Sequence, residues 1–275
     1  MTIHSFLKVE KGDPDWQFSP ERYFDKEFKV IDANTVELLP KTSDMMVLRQ
    51  TPNEKELLAK HIRIGVKEEG KLDLIVINEA DNKLQQVFIY DIHLSEGAGI
   101  NFGIFVKDGK FNKHIIQVHM AEGSDFNSFG LISNTVAGDT EIITKIIHHN
   151  VDSSSNQIIL AMAGKDSQTV FQGMSVLDKD SDGSSAHIES GNLIIGDGGR
   201  CHGKPDVYVN CDQVDASYGT ITNHLMPENV YYLQSKGLSY AESVQSIISS
   251  FQSQVVDIVP YDNLREEIKE IFQVG

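Results

Sequence analysis

The chain has 275 residues, of which 40% are hydrophobic and 23% charged; 40 acidic residues against 24 basic ones give a formal net charge of −16. That length supports one large core or two modest ones, and the composition is that of a folded rather than a disordered chain. The acidic excess, with no basic amphipathic stretch to offset it, argues against duplex nucleic acid or an anionic membrane as main partner, since phosphate binding needs local Lys and Arg.

The N-terminal MTIHSFLKVEKGDPDW has a short apolar patch followed at once by charges, unlike a signal peptide, and no run approaches 18 apolar residues. Two cysteines, Cys201 and Cys211, do not make a disulfide scaffold. A soluble, cytoplasmic protein is the expectation.

Residues 1–60 form a small mixed α/β region. Ser19, Pro20 and Glu21 carry helix-start chemistry, and TPNEKELLAKH predicts a short helix capped by Thr51, with Pro52 first and Glu54 closing the box. Between them, FKVIDANTVELLP suggests two brief strands around an Asn turn.

Residues 61–225 change character. IRIGV, LDLIVIN, QQVFIYDIHL, INFGIFV, HIIQVHM, FNSFGLI, TEIITKIIH and QIILAMA follow one another as β-type runs, separated by turn segments carrying Gly97, Gly109, Gly123 and Gly138. No helical pattern interrupts them, so βαβ crossovers are excluded and a sandwich, a barrel or a solenoid remains. The steady spacing, without Asn-Gly hairpin signals, favours a parallel β-helix, with a β-sandwich as rival.

Residues 226–275 are helical. PENVYYLQSKG is a short helix ending at Gly237. Next comes a helix with Ser239 and Glu242 as capping box and an apolar face of Val244, Ile247, Ile248, Phe251 and Val255; Pro260 ends it. DNLREEIKEIF gives a third, with Leu264, Ile268, Ile271 and Phe272 on one stripe. These helices either cap the open end of the strand stack or offer a surface to a partner.

The motifs of common enzymes are missing: no GxxxxGK[ST], GxSxG, HExxH or CxxC occurs. Cys201, His202 and Cys211 could form part of a soft ligand set, or be ordinary half-buried groups. His148 and His149 point to opposite faces if their segment is a strand, and His93 and His119 could line up with one of them on a solenoid face. DKDSDG, from Asp178 to Gly183, has calcium-loop composition but no helical flanks, and fits a charged turn better. No catalytic residue and no resident metal site are expected.

Several segments, in order, resemble the SufB/SufD scaffold family of iron–sulfur cluster assembly. HHNVDSSSNQIILAMAGKDSQTVFQGMSVL is similar to the family's "vFxG" strand segment through Phe171 and Gly173; SGNLIIGDGG resembles the CDSxLIGD segment; PDVYVNCDQVDASYG resembles the strands that follow. NVYYLQSKGLSYAESVQSIISSF is the closest piece, through Tyr232, Leu233, Gly237, Leu238, Glu242 and Phe251. The resemblance implies a right-handed parallel β-helix whose C-terminal helices dock a SufC-like ABC ATPase. It further implies pairing through the β-helix, with a SufB/SufD paralogue or with a second copy of the chain.

Such a scaffold is not itself an enzyme. It couples ATPase dimerisation to a shape change at the place where a transient iron–sulfur cluster is built. At that place the sequence departs from the pattern. Ser190 stands where SufB-type chains have cysteine, Tyr218 where the family has histidine, Ala216 where SufD-type chains have cysteine, and Gly219 where SufB-type chains have glutamate. A hydroxyl and a phenol are poor substitutes for thiolate and imidazole. Cluster binding would then fall to Cys201, His202 and Cys211, completed about a two-fold axis, or to another subunit. The other readings are a solenoid lyase or hydrolase of acidic polysaccharide, and a plain protein-binding solenoid without metal.

Overall fold

In a computed structural model, residues 6–8, 27–39, 41–50, 58–79 and 85–275 are described. The strands are β1 (Phe6–Lys8), β2 (Glu27–Leu38), β3 (Ser43–Gln50), β4 (Leu58–Val66), β5 (Lys71–Glu79), β6 (Gln85–Leu94), β7 (Gly99–Lys107) and β8 (Phe111–Met120). They continue with β9 (Asp125–Asn134), β10 (Asp139–His148), β11 (Ser154–Ala163), β12 (Gln168–Leu177), β13 (Ser185–Ile194), β14 (Arg200–Val209) and β15 (Asp215–His224). Three helices follow: α1 (Pro227–Ser235), α2 (Tyr240–Val256) and α3 (Asp262–Phe272).

Even-numbered strands from β2 to β14 stack in one sheet, sheet A, and odd-numbered strands from β3 to β15 in another, sheet B. Every pairing within these series is parallel, as in β8–β10–β12 and β9–β11–β13; among the described strands β1 alone lies antiparallel, on β2. The chain therefore winds as a β-solenoid of about six turns, two strands to a coil. β2 and β3 already belong to the two sheets, so the stack begins within the expected N-terminal region.

Two local expectations change. FKVIDANTVELLP is not two strands around a turn but one strand, β2, whose register on β4 slips between Asp32 and Asn34. A bulge absorbs the extra residue without reversing the chain. The helix expected from Thr51 falls mostly outside the described residues, and its last part, Leu58–His61, is strand β4. Pairing with β6 outweighs the capping pattern. The helix start at Ser19 lies outside the described residues.

Alternation fills the lumen. Ile62, Ile64, Leu74, Val76, Phe88, Tyr90, Phe102, Ile104, Ile116 and Val118 interdigitate between the sheets and are almost wholly buried. At one corner every coil but the last, β14–β15, turns through a left-handed residue: Lys41, Glu69, Gly97, Gly123, Asp152 and Gly183 all have positive φ. The N–H of each donates to a carbonyl in the next coil, as in Glu69 to Glu96 and Gly97 to Glu122, both at 2.9 Å. The corner repeats in backbone while its side chains vary.

The helices do not cap the end of the stack. α2 and α3 lie on the outer face of sheet B, where Ile75, Ile77, Phe105, Phe129, Leu131 and Leu160 meet Val255, Val256, Leu264, Ile268 and Phe272. Here the strands are apolar on both faces: β5 has five consecutive buried residues, Leu74–Asn78. That face offers far more apolar area than the end of a two-strand coil, and burial follows area. Polar contacts pin α3 at its rim. Arg49 of β3 donates two hydrogen bonds to the Glu267 carboxylate, at 2.9 and 2.6 Å, and the Tyr261 hydroxyl donates to Asp73 at 2.6 Å.

Candidate functional site

Among the described residues, the positions singled out by the resemblance gather in two regions: the last coil, and the elbow between α1 and α2.

All ten residues of β15 are exposed, and Tyr208 and Val209 of β14 are exposed beside it. Among the described residues, β14 and β15 each pair on one side only, with β12 and β13. Tyr218 is 61% and Ile221 67% exposed. The solenoid thus ends in two raw strand edges and an apolar patch, a surface that calls for another strand.

The positions singled out by resemblance distribute over this end. Ser190 faces the lumen of β13, buried, with no hydrogen-bond partner for its Oγ. On β15, Ala216 pairs with Ala186, Tyr218 with Ile188 and Gly219 with Glu189. Ala216 and Tyr218 therefore share the inward-facing side with Ser190, and Gly219 turns outward. Gly203 of β14 packs so close to Ser190, Asn192 and Thr220 that a Cβ would meet Ser190 Oγ and Asn192 Nδ2 at 2.9 Å.

Cys201 turns into the lumen. Its Sγ accepts from Thr169 Oγ1 at 3.2 Å and lies 3.8–3.9 Å from the carbonyls of Leu193 and Ala161. Burial pushes the thiol pKa up, so the neutral form is favoured. It ends a column of inward polar side chains at matching places on successive coils: Gln86, Asn112, Thr140, Thr169 and Cys201. Several of their amide atoms have no protein partner, which suits them to bridging water.

Cys211 lies beyond the far end of β14, its Sγ 3.3 Å from Ser181 Oγ. From Cys201 to Val209 the strand advances about 26 Å at about 3.3 Å per residue. Cys201 and Cys211 of one chain therefore cannot share an ion or cluster, and His202, exposed on the outer face of β14, joins neither. With a hydroxyl at 190 and a phenol at 218, the donors of a single chain do not fit an iron–sulfur cluster.

The elbow is built by capping. α1 ends at Ser235 with Lys236 as its C-cap, Gly237 takes φ of +103°, and Leu238 N–H returns to the Leu233 carbonyl at 3.4 Å. Ser239 then caps α2, its Oγ accepting from Glu242 N–H at 3.3 Å while the Glu242 carboxylate accepts from Ser239 N–H at 2.7 Å. Those bonds hold the Glu242 carboxyl below its ordinary pKa. Around the elbow, Tyr231 is 74%, Tyr232 61%, Tyr240 64% and Met226 49% exposed, and Val230 is the buried residue of α1. Lys236 sits over the Tyr232 ring at 5.4 Å. Leu233 and Leu238 are half-buried; Phe251, by contrast, packs against sheet B near Gly191 and Leu160. Sequence reasoning missed Tyr231 and Tyr240, although their place in an aromatic cluster at a helix junction is visible in YYLQSKGLSY.

A family model described as SUF system FeS cluster assembly, SufBD core domain, matches residues 26–251. The chain belongs to the SufBD core family. It is 22% identical over 171 residues to an iron–sulfur cluster assembly SufBD family protein of Synechocystis, covering 62% of this chain and 37% of that protein. To the iron–sulfur cluster assembly protein SufD of Escherichia coli it is 22% identical over 192 residues, covering 68% of this chain and 45% of the relative. To SufD of Bacillus subtilis it is 24% identical over 150 residues, covering 53% and 34%. The chain thus spans less than half the length of these SufBD relatives. The shared stretch ends at residue 251, inside α2, so it takes in the solenoid, the open end and the elbow but not α3. Among the described residues no helix is long and apolar enough to cross a membrane.

Proposed function

We propose that this chain is a non-catalytic, structural component of a SUF-type iron–sulfur cluster assembly complex, pairing through its open last coil and presenting the α1–α2 elbow to a SufC-like ABC ATPase. The observation that carries the docking half is the exposure of Tyr231, Tyr232 and Tyr240 on an elbow whose conformation is fixed by capping. Such preorganised aromatic surface is the usual anchor of an interface. The open coil supports the pairing half, with either a second copy or a SufB/SufD paralogue supplying the next strands.

The donor set favours a structural role over a ligand-bearing one. A two-fold axis that pairs β15 with its copy would bring the start of β14 in one chain toward the end of β14 in the other. Cys201 of one chain would then approach Cys211 of its partner, which is the arrangement a cluster-holding dimer would need. The cluster is cargo in either case. The −16 charge and the Asp178–Gly183 segment, a turn held by its own backbone, give a polysaccharide lyase no basic groove to work with.

Co-purification with the cognate ATPase tests the docking half. Tyr231→Ser with Tyr232→Ser should abolish capture while leaving the melting temperature unchanged; unchanged capture would refute it. Sedimentation of Ile221→Asp tests pairing, with a shift to monomer expected. Anaerobic reconstitution with iron and sulfide should leave no cluster absorbance on the isolated chain, and absorbance lost in Cys201→Ser would overturn the structural assignment.

A further inference from the structure

On the outer face of sheet A, far in kind from the cysteines, the coils stack a row of imidazoles. His93 of β6 and His119 of β8 are register partners. His149 takes the next rung just past β10, its N–H bonded to the Met120 carbonyl at 3.0 Å, and Asp178 the rung after that, past β12. The rings of His93 and His119 lie 4.8 Å apart and 6° from parallel; those of His119 and His149 lie 5.2 Å apart and 7° from parallel. Asp91, two residues before His93 on the same face of β6, places Oδ1 3.1 Å from His93 Nε2.

The hydrogen bonds fix the protons. Asp178 Oδ2 can only accept, so His149 donates to it from Nδ1 at 3.0 Å. With its Nδ1 proton turned to Asp178, His149 can accept at Nε2 from His119 Nδ1, 2.9 Å away. His119 is left with a lone pair on Nε2, toward which the Gln117 amide points at 3.0 Å. This relay, carboxylate to histidine to histidine, is the outer support that metal-binding imidazoles use to set tautomer and ring orientation. One donor atom from each of Asp91, His93 and His119 lies within 4.8 Å of the others. Ring rotations that turn Gln117 aside would close these to the roughly 3 Å spacing that bonds of about 2.1 Å require.

We propose that Asp91, His93 and His119 form a site for a divalent first-row transition cation, with His149 and Asp178 as positioning residues behind His119. Two imidazoles and one carboxylate select iron(II), cobalt(II) or zinc over magnesium and calcium, which prefer oxygen donors throughout. His93 is 61% exposed, so further coordination positions open to water and the ion exchanges rather than being locked in. Arg63 and Lys145 flank the site, as register partners of Asp91 and Gln117, and temper its affinity for a dication.

The test is titration of the untagged full-length protein with cobalt(II), read by its visible absorption, with zinc as competitor. One equivalent should bind, unaffected by millimolar magnesium. His93→Ala and His119→Ala should each remove it, His149→Ala should weaken it about 10- to 100-fold, and His187→Ala, on the other sheet, should leave it intact. Absence of binding, or equal binding by the His93→Ala protein, would overturn the proposal. His93 is exposed enough that its replacement leaves the fold intact, and an unchanged melting curve verifies this.

Discussion

Lowering the pH from 7.5 to 5 should destabilise this solenoid through two histidines that no surface ligand touches. His114 is fully buried in the lumen, stacked on Phe88 at 4.8 Å, with Asn78 Nδ2 3.2 Å from its Nε2. His148 is buried between the hydroxyls of Ser153 and Ser155 at 2.7 and 2.8 Å. Burial drives the pKa of His114 down to about 3 and that of His148 to about 4, from 6.5. Because the unfolded chain takes up these protons near pH 6.5 and the folded chain far lower, the unfolded state gains protons first as pH falls. The stability is therefore present in full above about pH 6.5 and drains away toward pH 4. Each ring costs about 1.4 kcal/mol per pH unit in that window, so by pH 5 the pair costs about 4 kcal/mol. Urea midpoints measured from pH 7.5 to 5, above the range where carboxylates protonate, give the slope. His114→Gln and His148→Asn should each remove about half of it, apart from a residue due to His119. An unchanged slope in the double variant would refute the buried-neutral assignment.

Three further outcomes follow from packing. Phe272→Ala removes a ring that meets Phe105 edge-on at 6.1 Å beneath α3, and should cost about 3–5 kcal/mol, seen as a fall of roughly 10 °C in melting temperature. Gly203→Leu forces atoms into Ser190 and Asn192 and should cost about 1–3 kcal/mol in chemical unfolding, with hydrogen exchange accelerated in β13–β15 rather than in β5–β9. Ser239→Ala removes the Oγ that accepts from Glu242 N–H and leaves the Ser239 N–H bond to the Glu242 carboxylate; it should cost about 1 kcal/mol, read as increased amide exchange in the first turn of α2.

Much of the fold was written in local pattern. Strand alternation from Ile62 onward, the absence of helical periodicity over residues 61–225 and the Ser239–Glu242 box all translate directly into structure. The repeat itself was hidden, because the corner that defines it is a backbone conformation held in turn by Lys41, Glu69, Gly97, Gly123, Asp152 and Gly183. Glycine holds only three of the six places, so no residue type marks the repeat. The seat of the helices was misjudged although a signal existed: LIVI in β5 and the apolar runs in β7, β9 and β11 are hydrophobic on both faces, which a strand facing solvent is not. The separation of Cys201 from Cys211 needed only the knowledge that β14 runs straight between them. The sequence placed His93 and His119 in line with either His148 or His149; that His149 joins the row and His148 turns inward is decided only when three coils are in register.

Parallel coils touch only their neighbours above and below, so cohesion in this molecule is local along the stack. The helical layer staples β5 through β11 from the side, whereas β15, among the described residues, is hydrogen-bonded to β13 alone. The rod therefore has a stiff middle and a fraying tip. On the pairing proposed above, the strand that completes the tip raises the melting point of the last coils first and makes it depend on concentration, which would make assembly and maturation of that end one event.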